Sequence, residues 1–167
     1  GTALLKALLS QAKAMSDKYD VMITNPPYIG TSSMEASVKE YAIQNYPNSK
    51  TDMFAMFMET GYLKQNGFTA MINMNSWMFI GSYERLREQL LQFKIIVSMI
   101  HLGPRAFDTI AGEVVQTTSF ILRNVEIPEC RGIYFRLVDA ASQSSKEALF
   151  LSRSNQHCIS QDSFAKI

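Results

Sequence analysis

The sequence predicts an α/β fold in which strands of one sheet alternate with helices. Three observations support this. Short apolar runs bounded by turn residues, at 21–23, 68–74 and 95–100, alternate with longer segments whose apolar residues recur at helical spacing. The first run stops at Asn25-Pro26-Pro27-Tyr28, where two prolines have no N–H to continue a ladder. With 47% of its 167 residues hydrophobic, the chain can bury a real core.

Taken in order, residues 2–16 read as a helix, with Leu4, Leu5, Leu8, Leu9 and Ala12 on one side and Lys6 and Lys13 outside. Asp17 to Asp20 lead into a first strand at 21–24, whose Val21, Met22 and Ile23 suit burial on both faces. After the Pro-Pro tip, Ser32 and Glu35 have the spacing of a capping box, and the helix carrying Val38 and Tyr41 ends at Pro47 as a lid or insertion. A helix at 51–65 is marked by the rows Met53/Phe57/Gly61 and Phe54/Met58/Tyr62, with Asn66-Gly67 as its stop.

The strand 68–74 follows, with Asn75, Ser76 and Trp77 at its carboxyl end. They share a sheet edge with Asn25 if the two strands are parallel. Ser82 is placed to cap a helix to about residue 92, with Tyr83, Leu86 and Leu90 inward. A third strand at 95–100, a loop at 103–113 and a fourth strand at 114–122 complete the regular part. Beyond Asn124, Ile133, Phe135 and Leu137 alternate with Tyr134, Arg136 and Val138 as a further strand. Residues 139–163, rich in Ser, Gln and Asn, offer few anchors and read as a linker.

Composition limits the partners. The formal net charge of +1 gives no bulk basic signature for nucleic acid. Cys130 and Cys158 lack metal-ligand spacing, alone or with His101 and His157, and two unpaired thiols fit a reducing, cytoplasmic setting. There is no signal peptide and no apolar run of membrane-spanning length. The chain begins at Gly1 rather than Met, so it is expected to be excised from a longer protein.

Asn-Pro-Pro-Tyr after an Asp and a strand resembles the catalytic motif of amino-group methyltransferases that use S-adenosylmethionine, above all the N6-adenine DNA methyltransferases. An exocyclic aromatic amine is a poor nucleophile because its lone pair is delocalised into the ring. The resemblance implies that the Asn25 side-chain oxygen and the Pro26 carbonyl accept its two N–H bonds and turn the lone pair toward the methyl donor. Tyr28 would stack on the base once it is flipped from the duplex. Asp52-Met53-Phe54-Ala55-Met56-Phe57-Met58-Glu59 is similar to the family's next helical motif, whose Phe (here Phe57) packs on the cofactor adenine; Asn25 and Pro27 would join it at the cofactor. Gly103-Pro104-Arg105-Ala106-Phe107 lies where these enzymes place an aromatic opposite the Tyr, which makes Phe107 a second stacking candidate or a loop residue tucked into the core.

The resemblance covers about residues 17–124. It implies the second half of a Rossmann-like methyltransferase fold, a mixed sheet with helices on both faces whose last two strands form an antiparallel hairpin at the edge. The glycine-rich cofactor loop is expected to be missing, since nothing before Tyr19 can supply it and the glycines are dispersed. Residues 1–124 would be the catalytic-motif half, and 125–167 an extra strand and linker toward a target-recognition domain. Trp77-Met78-Phe79, the run from Ser82 to Arg87, His101-Leu102-Gly103 and the run from Val114 to Thr117 resemble the large single-chain methyltransferases of phage-exclusion and restriction systems.

Double-stranded DNA would be the partner of the parent protein. The piece alone would be inactive and would self-associate through the open edge of strand 21–24. Two other readings stay open at this point: a protein glutamine N5-methyltransferase, which shares Asn-Pro-Pro-Tyr, and a non-catalytic nucleic-acid-binding module.

Overall fold

A computed structural model describes residues 2–107 and 115–166. In chain order these residues form α1 (Thr2–Ser16), β1 (Tyr19–Thr24), α2 (Ala36–Asn45), α3 (Met53–Glu59), β2 (Leu63–Met74), α4 (Glu84–Phe93), β3 (Ile95–Gly103), β4 (Thr117–Arg123), β5 (Arg131–Arg136), α5 (Gln143–Ser152) and β6 (Gln156–Ser160). The six strands make one sheet in the order β1-β2-β4-β3-β5-β6. β1 is parallel to β2 and β3 to β5, while β4 runs antiparallel between β2 and β3 and β6 antiparallel to β5. The carboxyl ends of β1, β2, β3 and β5 therefore share one edge of the sheet.

Helices cover both faces. α3 and α4 send Phe54, Met58, Leu86 and Leu90 into a core with Met71, Met99 and Phe120 of the sheet. Tyr134 joins that core, whereas its neighbour Phe135 points to the other face and packs on Phe150 of α5, ring centroids 4.7 Å apart. No helix among the described residues is long and apolar enough to cross a membrane.

Several expectations are corrected. The helix expected over 51–65 ends at Glu59, and β2 begins at Leu63. Asn66-Gly67 does supply a left-handed residue (Asn66 φ 65°), but inside a bulge: Tyr19 pairs with Leu63 and Val21 with Phe68. A Cβ on Gly67 would sit 3.0 Å from the Asp20 carbonyl oxygen and 3.1 Å from those of Lys64 and Tyr19, so a larger residue would press on the backbone of the bulge. Ser32 and Ser82 cap nothing; both lie in single 3-10 turns, and α2 and α4 have no side-chain N-cap. β4 is described from Thr117, and the first residue of the expected strand, Val114, lies outside the described residues, as do 108–113 of the expected loop.

Two further corrections concern the ends of the sheet. β1 was expected to be buried on both faces, yet it is an edge strand with Val21 and Ile23 53% and 78% exposed. α1 has the expected bounds but buries nothing, so its apolar stripe faces solvent. At the other end, the β3–β4 pair is antiparallel but not last, because β5 and β6 extend the sheet beyond it. In β5, Tyr134 is buried and Ile133 is exposed.

Residues 139–163 are well anchored. Ser142 and Ser145 form a reciprocal capping box for α5, and Lys146, 3% exposed, donates its Nζ protons to the carbonyls of Leu102 (2.7 Å) and Leu137 (2.9 Å). Gln161 accepts from the Ile96 amide and donates to the Leu91 and Lys94 carbonyls. Composition hid these anchors because one part-buried amide and one buried ammonium group do work usually given to apolar side chains.

Candidate active site

Asn25 follows the last residue of β1 and Asn75 the last residue of β2, and these strands are parallel, so both amides stand on the carboxyl edge. In open α/β sheets ligands bind there. Pro26 is buried, and Asn25 and Pro27 are exposed. Tyr28 Oη donates to Asn25 Oδ1 at 3.2 Å and lies 3.5 Å from the Ile72 carbonyl. Its ring meets Phe54 edge-on at 6.1 Å, and burial raises the phenol pKa above its ordinary 10.0, so it remains a neutral donor. A carbonyl oxygen accepts twice, so Asn25 Oδ1 can take a substrate N–H while keeping Tyr28. Among the described residues, no backbone hydrogen bond from a turn or loop ends on the Pro26 carbonyl.

Asp52 fixes this tip and was not singled out by sequence reasoning. Its Oδ1 accepts from the Ile29 amide at 3.1 Å and from the Phe54 amide at 3.2 Å, capping α3 and tying it to the residue after Tyr28. The Met53 amide returns a bond to the Ile29 carbonyl (3.0 Å), and Gly30 bridges to Asp52. Burial raises the Asp52 pKa, against the lowering effect of the amides of Phe54, Ile29 and Met53. An Asp one residue before an apolar helical run was the available signal.

Phe57 is half-buried against the core. The end of its helix contacts β1, where Thr60 Oγ1 lies 3.7 Å from Met22 Sδ. Phe57 thus lies in the last turn of the helix whose end packs on Met22 of β1. Phe107 ends the described segment after β3, 37% exposed and on the same edge of the sheet. No described contact joins it to Tyr28.

The structure adds a polar cluster beside the tip. The buried Asn75 has its Nδ2 2.8 Å from His101 Nε2 and 3.2 Å from Gln116 Oε1. An amide nitrogen only donates, so Nε2 accepts and the imidazole is neutral with its proton on Nδ1. Burial, then Arg136 and Lys146, lower its pKa below 6.5. Phe79, 63% exposed, lies against this ring with centroids 5.7 Å apart. Arg87 braces the intervening turn through the Trp77 and Ile80 carbonyls. These residues are far apart in sequence, and only strand order brings them together.

Residues 4–107 match the Eco57I restriction-modification methylase family. The chain belongs to that family. A relative in this methylase group, the adenine-specific methyltransferase BrxX of Escherichia coli O9:H4 (strain HS), is 44% identical over 164 residues, covering 95% of this chain. The chain spans only 13% of that relative's length. Two solved structures share the fold: a type I restriction-modification methyltransferase subunit from Streptococcus thermophilus (TM-score 0.59, 17% identity, 90% of this chain and 36% of that one) and the DrdV–DNA complex (TM-score 0.63, 14% identity, 92% and 18%). The sheet is thus part of a Rossmann-like methyltransferase fold, as the sequence resemblance implied.

Proposed function

We propose that this methylase chain carries the amine-binding site of an enzyme that methylates adenine N6 in double-stranded DNA, within a phage-exclusion or restriction system. The observation that carries the reading is the Asn25-Pro26-Pro27-Tyr28 tip at the carboxyl end of β1, with Tyr28 seated on Phe54 and bonded to Asn25. The name of the BrxX relative and the DNA complex of the DrdV fold relative support adenine and DNA.

S-adenosylmethionine, the cofactor this reading requires, supplies an electrophilic methyl group. Asn25, Pro27 and Phe57 would hold its methyl-donor and adenine ends, a reading supported by the packing of the end of the Phe57 helix on Met22 of β1, three residues before Asn25. No glycine-rich turn among these residues fits its other end. Asn25 Oδ1 and the Pro26 carbonyl each accept one N–H of the target amine, which favours a pyramidal nitrogen with its lone pair free. Neither acceptor is a strong base, and the nitrogen sheds its proton after transfer. Tyr28, with Phe107 opposite, holds the flipped base.

Asn25→Ala in the full-length protein should lower the rate of duplex methylation by about 10²-fold or more, the scale of losing one preorganised polar contact in the transition state. Cofactor affinity should hold. Near-normal activity in that variant, or methyl transfer to a glutamine side chain in place of adenine, would overturn the reading.

The proposal has three further parts. Residues 1–124 are the catalytic-motif part, and 125–167 lead toward target recognition. The 167 residues alone are inactive and self-associate through the open edge of β1, supported by the exposure of Val21 and Ile23. A DNA substrate places the enzyme in the cytoplasm.

A further inference from the structure

The helix that carries Phe57, α3, is only seven residues long, and its two ends are held by different means. Asp52 caps its first turn beside the Asn-Pro-Pro-Tyr tip. The last carbonyls of a helix have no partner within it, and here two side chains take them. Thr60 Oγ1 donates to the Phe57 carbonyl at 2.9 Å, and Lys94 Nζ donates to the Met58 carbonyl at 3.1 Å. Thr60 directly follows the helix, whereas Lys94 comes from 36 residues further along the chain.

Lys94 is itself fixed between two elements. It follows α4, with its amide on the Leu90 carbonyl at 3.0 Å, and its own carbonyl accepts Gln161 Nε2 at 2.8 Å. Among the described residues, the Met58 carbonyl is the one hydrogen-bond acceptor that Nζ has. Glu59 is held by the buried Ser49 hydroxyl and forms no ion pair with Lys94. Burial lowers the Lys94 pKa below its ordinary 10.5, with Glu59 opposing.

A cavity of about 230 Å³ lies at this end of α3, lined by Met58, Leu63, Leu86, Leu90, Phe93 and Lys94. Side chains that border a void lose packing contacts on that side. Apolar packing therefore leaves the last turn of α3 room to shift, and the Lys94 side chain ties that turn to the start of β3.

We propose that Lys94 is a positioning residue for the methyl donor: by holding the Met58 carbonyl it fixes the last turn of α3, and with it the Phe57 ring against the cofactor adenine. The inference rests on the cofactor reading of Phe57 above. Lys94 acts on cofactor binding and not on methyl transfer, because Asn25 and Pro26 are tied to the opposite end of α3 through Asp52.

The test uses the full-length protein, with S-adenosylmethionine affinity measured by calorimetry and kcat measured at saturating cofactor. Lys94→Met keeps the apolar stem and removes the ammonium group. It should weaken cofactor binding about tenfold, the scale of losing one hydrogen bond from a charged group, and leave kcat near wild type. Lys94→Arg keeps a donor, has the cavity to accommodate it, and should retain most of the affinity. Lys94→Gln, with a donor on a shorter stem, should fall between the two and serves if Lys94→Met does not fold. In a Phe57→Ala background Lys94→Met should weaken cofactor binding no further, because the ring it positions is gone. A merely structural role would instead lower the active fraction in both backgrounds and leave the affinity of the folded protein unchanged.

Unchanged affinity in folded Lys94→Met or Lys94→Gln, an equal loss in Lys94→Arg, or additive losses with Phe57→Ala would overturn the inference. Phe57→Ala alone separates the two claims. Wild-type cofactor affinity in that variant removes the reading of Phe57 and this inference with it, whereas a loss there without one in Lys94→Met removes this inference only.

Discussion

At the scale of single residues, Asp52 holds the Asn-Pro-Pro-Tyr tip to the core. One carboxylate oxygen caps α3 and accepts the amide that follows Tyr28, so the tip and the Phe54 against which Tyr28 rests share an anchor. Asp52→Ala should cost about 1–2 kcal/mol of stability, the upper range for a lost N-cap, and should lower methylation by loosening Asn25. Asp52→Asn keeps the acceptor and should retain most of both. Chemical denaturation and single-turnover rates of the two variants check this. Phe107 permits a second test. If it sandwiches the base with Tyr28, Phe107→Ala should cost about 1–3 kcal/mol of base binding, and Phe107→Trp should be tolerated. A fluorescent base analogue at the target reports the extrusion, and an unchanged signal in Phe107→Ala assigns the ring to the loop alone.

At the scale of elements, the ends of β2, β3 and β4 are joined by Asn75, His101 and Gln116. The folded imidazole accepts a hydrogen bond on Nε2 and resists protonation, while an unfolded chain takes up that proton near pH 6.5. The unfolded state therefore binds more protons below about pH 6.5, and this contribution to stability is lost as the pH falls. Denaturation at pH 7.5 and 5.5 should show a smaller acid loss in His101→Gln than in wild type. NMR titration should place His101 below 6.5. A normal or raised value there would break the proposed link.

The bulge in β2 is a second property of an element. Gly67→Ala would press a methyl group against the Asp20, Lys64 and Tyr19 carbonyls. The variant should lose stability, and β1 should be the strand whose amides exchange sooner.

At the scale of the whole molecule, the sheet ends in two edge strands, polar β6 and apolar β1. β6 exposes Gln156, His157 and Cys158, whereas β1 exposes Val21 and Ile23 and α1 an apolar stripe. A hydrophobic strand edge pairs readily with another chain. Sedimentation of the 167-residue chain should show a dimer or larger species, and Ile23→Lys should shift it toward monomer.

The sequence by itself determined the tip and the local elements near it. Two prolines stop a strand wherever they occur, and Asn-Pro-Pro-Tyr sits on consecutive residues, so the proposed amine acceptors and stacking ring can be named without any fold. The bounds of α1, the inward face of α4 and the shared edge of Asn25 and Asn75 follow from periodicity and from strands running the same way. Tertiary structure alone decided what depends on distant partners. It set the burial of β1, which depends on the neighbours a strand has and not on its own apolarity. It ended α3 early, because Leu63 pairs with Tyr19 of β1 and the residues up to Gly67 form the bulge that follows. It also assembled the His101 cluster, whose residues approach one another only because β4 is inserted between β2 and β3. A hydrogen bond between strand ends is set by strand order, and strand order leaves no local trace in the chain.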